Sequence, residues 1–177
     1  MGYLLGMLVL STLAAAVAAG ARLLIATARR AEAEDTAQLA IEALAFDVRR
    51  AGFDPRGTVA AYLVDAAPDR FAIHADLDAD GTIDSTSEEA TRYRCDVGAG
   101  RLSRIVGRQS LPLADGVQRC TFAYLDASGR LIPAPTAGLA PIDLVRVTGV
   151  ELVIALQPSA GMEAVSRTAR IALRRTS

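Results

Sequence analysis

The hydrophobic pattern divides the chain in two. Residues 2–21, GYLLGMLVLSTLAAAVAAGA, carry no charge. A run of about 20 such residues, rising ~1.5 Å each, matches a ~30 Å hydrocarbon core and predicts a membrane span. In the segment ARLLIATARRAEAEDTAQLAIEALAFDVRRAGFDP, Ala37, Ile41, Leu44, Val48 and Ala51 recur at four- and three-residue steps. That spacing puts them on one face of a helix continuing out of the span. Gly52 suits the C-terminal cap and Pro55 prevents resumption, so the helix should stop near Ala51. The span and its extension form one stem of about fifty residues, roughly 75 Å. Leu39 and Phe46 fall on the side opposite the stripe. They read either as scattered surface apolar residues or as contacts to a neighbouring subunit.

Beyond Pro55 the helical period gives way to short runs separated by turn residues. Strands are predicted over residues 59–64, 70–75, 90–96, 102–106, 117–125, 144–156 and 167–174, with the last two forming a hairpin. Pro133, Pro135 and Pro141 mark an irregular connection. A long helix followed by strands predicts an α+β fold in which the stem covers one face of an antiparallel sheet. The predicted organisation is a transmembrane helix half over residues 1–26, its amphipathic extension over 27–52 and a globular β domain over 53–177.

The charges bear on what the first segment is. A cleavable signal competes with an anchor, because AAAVAAGA offers small residues for cleavage, but signal peptides begin with a basic region and nothing before Arg22 is positive. Arg22, Arg29 and Arg30 all follow the span. Taken literally, that asymmetry places the rest of the chain in the cytoplasm, whereas the cysteines favour an oxidising compartment. One expectation that reconciles the two is that Met1 is not the true start and that a short basic leader precedes it.

At 177 residues the chain has room for one ordinary domain and one extra element. Nineteen basic residues, all arginine, face twenty acidic ones for a net charge of −1, so no global field draws in a nucleic-acid backbone. No nucleic-acid partner is expected. His74 is the single histidine and lies on an alternating run, so it seeds no histidine metal cluster. The chain contains no G-x-S-x-G elbow, P-loop or dinucleotide fingerprint. Asp115 and Asp126 sit in predicted turns and read as turn formers. These absences predict a non-enzyme without a small-molecule substrate. Cys95 and Cys120 lie near the ends of two predicted strands with one short strand between them. In an exported protein they pair most simply as a disulfide, with unrelated buried thiols as the alternative.

The chemistry-bearing motif is ADLDADGTIDSTSEE. Asp76, Asp78, Asp80, Gly81, Thr82 and Asp84 follow the D-x-D-x-D-G opening of a calcium loop. Hard oxygen ligands suit the dication, and three carboxylates so close otherwise repel. The twelfth position is Ser87, with Glu88 and Glu89 arriving one and two residues late, and the flanks read as strands, so this is no EF-hand. The candidate Ca²⁺ ligands are Asp76, Asp78, Asp80, Thr82, Asp84 and Glu88. A bound calcium and a solvated acidic hairpin tip both stand as readings.

An uncharged span running into an amphipathic stem and then LAFDVRRAGFDP resembles the minor type IV pilin and pseudopilin families, in particular PilW-like subunits. In those families R-x-A-G-[YF] closes the stem helix, matched here by Arg49, Arg50, Ala51, Gly52 and Phe53. The similarity extends through ADLDADGTID, EEATRYRCD, RLSRIV, LADGVQRCTFAYLDASGRL and RIALRR. It implies a pilin-like fold, a single pass through the inner membrane and a periplasmic globular domain. It further implies a structural role, with other pilin subunits and inner-membrane lipid as partners, in building or initiating a pilus or secretion pseudopilus. The family's glutamate at the fifth mature position has no counterpart at Leu5, Met7 or Ser11, a departure shared with some tip-located minor subunits. The alternative is a signal-anchored periplasmic domain that binds calcium or another ligand outside any filament.

Overall fold

A computed structural model of the chain describes residues 2–59, 61–159 and 161–173, with the side chains of residues 2–12 and 14 outside the description. One unbroken helix, α1, runs Gly2–Arg50 over 49 residues, about 74 Å at ~1.5 Å per residue. Its end agrees with the predicted stop. Gly52 takes φ 78°, the left-handed cap conformation that glycine adopts without steric cost. Among the described residues no helix is long and apolar enough to cross a membrane. The predicted span falls largely on side chains outside those residues.

Two antiparallel sheets follow, where the sequence pattern had indicated one. The first is a five-stranded meander of β1 (Leu63–Ala67), β2 (Arg70–His74), β3 (Ala90–Asp96), β4 (Arg101–Val106) and β5 (Gln109–Asp115). The second contains β6 (Val117–Leu125), β7 (Leu131–Ile132), β8 (Gly149–Leu156) and β9 (Val165–Ala172) in the order β7-β6-β8-β9. Strands β2, β3, β4 and β6 fall where periodicity put them, and the expected β8–β9 hairpin is present, with β8 starting five residues later and β9 two residues earlier than expected.

The differences have local causes. The first strand starts at Leu63, several residues late, because the Asp54 carboxylate gathers the backbone N–H groups of Arg56, Gly57 and Val59 into a turn. Residues 141–144 form a short helix, α2 (Pro141–Leu144), with proline in its first turn, so β8 begins at Gly149. Strand β5 carries Pro112 and lies at a sheet edge, where a missing N–H costs no ladder bond. Two strands, β4 and β5, therefore separate the cysteines in sequence.

The core forms where the stem meets both sheets. Ala37, Leu44, Val48 and Ala51 on the predicted stripe are buried, with Ile41 partly so, and Ala33, Ala40 and Ala45 extend the buried face. Alanine at these positions lets the helix approach β5, β8 and β9 closely. Between the sheets, Phe71 stacks on Tyr93 at 5.0 Å and meets Phe122 edge-on at 4.8 Å. The buried Tyr124 hydroxyl donates to the Ala67 carbonyl at 2.7 Å. The Cys95–Cys120 disulfide, with its Cα atoms 5.6 Å apart, joins β3 to β6 and so staples one sheet to the other.

Candidate functional site

The acidic motif forms the connection between β2 and β3. Its entry is fixed from both sides: the Gly52 N–H donates to the His74 carbonyl at 3.0 Å, and the Asp76 N–H donates to the Phe53 carbonyl at 2.7 Å. The loop thus begins against the exit of the stem. Arg56 donates to the Asp80 carbonyl and the Thr58 hydroxyl to the Gly81 carbonyl, both at 2.8 Å, closing the outer side. Gly107, in the β4–β5 turn, has φ +56°, and a Cβ there would lie 2.7 Å from the Thr86 carbonyl oxygen. The turn can lie against the loop only as glycine.

Within the loop, Asp76, Asp78 and Asp80 offer carboxylate oxygens that lie within 4.8 Å of one another. Asp76 is fully buried and accepts the Asp80 N–H at 3.1 Å and the Gly81 N–H at 3.0 Å. Thr82 donates both its N–H and its hydroxyl to Asp80 at 2.7 Å. Asp84 accepts the N–H and hydroxyl of Thr86 rather than joining the triad. Glu88 points elsewhere: it lies 3.6 Å from Arg50 and 3.9 Å from Arg104. Of the six residues predicted to hold a cation, the fold gathers three carboxylates, turns Thr82 and Asp84 to local caps and gives Glu88 to arginines.

Glu89 is the residue the motif reading left out. Its buried carboxylate accepts the N–H groups of Leu77 at 2.8 Å, Asp84 at 2.9 Å and Asp78 at 3.2 Å, holding both limbs of the loop. The signal was present in the alternation of β3. Thr91, Tyr93 and Cys95 face inward, and stepping back by two puts Glu89 on that side and Glu88 on the other.

The charge states follow this geometry. The Asp84 N–H, then those of Asp78 and Leu77, hold the Glu89 carboxyl below its ordinary value against the opposing effect of burial. Thr82 lowers Asp80, and Thr86 lowers Asp84, through hydrogen bonds. Asp78 goes the other way. The Asp80 N–H pulls it down, but desolvation and the like charges of Asp80, Glu89 and Asp76 outweigh that bond and raise it. A triad of this kind offers oxygens to a hard divalent cation, and it also stands without one, since among the described residues no buried side-chain polar atom lacks a partner.

A second polar cluster sits directly beneath the loop. Asp47, on the stem and 6 % exposed, accepts the Tyr93 hydroxyl and the Arg104 Nε, each at 2.6 Å, and Arg104 Nη2 at 3.2 Å. Stem, β3 and β4 meet at this carboxylate, and Glu88 links Arg104 to Arg50 beside it. Burial, then Asp47, pushes the Tyr93 phenol far up, so it stays a donor. Leu39 and Phe46 are 64 % and 58 % exposed on the stem's outer face, with the Arg50 guanidinium 4.7 Å above the Phe46 ring. Neither belongs to the core.

The chain matches no family model and no curated protein.

Proposed function

We propose that the protein is a structural subunit of the minor pilin or pseudopilin kind, anchored in the inner membrane through residues 1–26, with its β domain in the periplasm. The observation that carries this reading is the unaccompanied half of the stem. Among the described side chains Ala33 is the first buried one, and Leu13, Val17, Leu23, Leu24 and Ile25 are 54 to 71 % exposed, with Arg22 the one charge among them. A helix that is apolar all round belongs in lipid or among similar helices. Ala15, Ala16, Ala18, Ala19 and Gly20 are exposed on the same segment, and small residues permit close helix approach in lipid. The inter-sheet disulfide suits an oxidising compartment.

In this reading stems bundle laterally, Leu39 and Phe46 meet a neighbouring stem, and the β domain carries the remaining contacts to build or initiate a pilus or pseudopilus. Photocrosslinkers placed at Leu39 and Phe46 in cells producing the filament machinery should yield products with other pilin subunits. Exclusive monomer from both positions would overturn the proposal.

The gathered triad of Asp76, Asp78 and Asp80 favours a second reading, an anchored periplasmic domain that binds calcium outside any filament. That reading expects no stem-to-stem product. It also expects calcium at a hundred times its dissociation constant to raise stability by about 2.7 kcal/mol. An unchanged melting temperature in millimolar calcium and in chelator removes it.

A further inference from the structure

Where the stem leaves the domain there is a notch of about 440 Å³, walled on one side by Arg29, Glu32 and Thr36 of α1 and on the other by residues around Pro112, Gly116 and Gln157. A volume of this size lies within the range that seats a small ligand. Its charges are unequal in their commitments. Asp115, on the rim, is paired with Arg101 at 2.8 Å, and Arg30, Glu34 and Arg167 form a closed chain at 3.2 and 3.5 Å. The Thr36 hydroxyl is spent on the Glu32 carbonyl at 2.8 Å. Arg29 and Glu32 line the notch three residues apart, and among the described residues the side chains of both lack a partner, each other included. A free cation and a free anion thus share one recess.

The recess also lies at a defined height. The exposed apolar run of Leu23, Leu24 and Ile25 ends at Ala26, and in the anchored reading the exposed Arg22 just before it must extend its guanidinium up to the lipid heads. Arg29 is three residues further, ~4.5 Å along the helix axis. The polar layer of a bilayer leaflet is roughly 5 to 8 Å deep, so the notch opens among lipid heads when the apolar run is in hydrocarbon.

Resting on the anchored reading above, we propose that this notch seats the head of a zwitterionic phospholipid, its phosphate on Arg29 and its ammonium on Glu32. Arginine matches phosphate in a forked geometry, and an adjacent carboxylate rejects a head that carries only negative charge. The arrangement therefore selects an ethanolamine head over a glycerol head.

The test uses the full chain in vesicles of phosphatidylethanolamine and phosphatidylglycerol. Flotation reports insertion, and native mass spectrometry after extraction reports the lipid retained. Wild type should float and retain phosphatidylethanolamine preferentially. Arg29→Ala should lower retention of both lipids about fivefold, the effect of one arginine at a lipid surface. Glu32→Gln should lower retention of phosphatidylethanolamine, raise that of phosphatidylglycerol and abolish the preference. Both side chains are exposed, so both variants should melt with wild type. Retention indifferent to the two substitutions, or a wild-type preference for phosphatidylglycerol, overturns the lipid site while leaving the anchor intact. A chain that fails to float overturns both.

Discussion

Asp47 shows how much one side chain can bear. It is a carboxylate on an otherwise alanine- and leucine-lined face, and its burial is offset by an arginine and a tyrosine converging from two strands. Replacing such a pair by apolar residues can be neutral, but removing one member leaves the other charge stranded at about 3 to 5 kcal/mol. Asp47→Ala should lose that order of stability in urea unfolding, whereas Leu39→Ala, eight residues earlier on the exposed face, should stay within about 0.5 kcal/mol of wild type. Glu89 sets a pH dependence. Its folded pKa lies below the ordinary value of 4.5 because the N–H groups of Asp84, Asp78 and Leu77 favour the ionised form. Its contribution to stability is complete above the unfolded pKa and is lost as pH falls through the folded one. Between pH 6 and pH 3 the urea midpoint of wild type should therefore fall further than that of Glu89→Gln. Equal falls would remove Glu89 from the account.

At the scale of elements, the disulfide closes a loop with a sequence separation of 25, for which chain-entropy reasoning gives about 3 to 4 kcal/mol. Reduction, or a double Cys95→Ala and Cys120→Ala variant, should cost that much in denaturant unfolding. The elements also show what could be read beforehand. The stem, its stop at Arg50, and strands β2, β3, β6, β8 and β9 were legible because single-sided burial imposes a period that one sequence displays. Strand β5 was hidden by Pro112, which is tolerated only because the strand is an edge, and edge status is a tertiary fact. The division into two sheets was hidden for the same reason: alternation tells which side chains face a core but not which strands pair. In the acidic loop the triad was legible from its spacing. The exchange of Glu88 for Glu89 depended on strand parity carried past the start of β3 at Ala90.

The molecule has a domain at one end of the stem and, over the described side chains before Arg29, an uncovered helical shaft at the other. Exposed apolar side chains occur at both levels of the shaft: Leu13 to Ile25 below the domain, and Leu39 and Phe46 beside it. In the bundled-stem reading the lower set meets lipid and neighbouring stems, and the upper set meets neighbours alone. In that reading Leu39→Glu and Phe46→Glu together should leave the melting temperature of the isolated subunit unchanged while abolishing the products of a photocrosslinker placed at the neighbouring exposed Gln38. A lowered melting temperature instead would place these side chains in intramolecular packing.

The position of the staple has a mechanical consequence. Tension applied along the shaft meets the domain first through the buried face that begins at Ala33 and packs on β5, β8 and β9, and then through Asp47, which grips Tyr93 on β3, two residues from Cys95. A pull is thereby spread over both sheets, and the covalent bond between β3 and β6 keeps the two from parting under it.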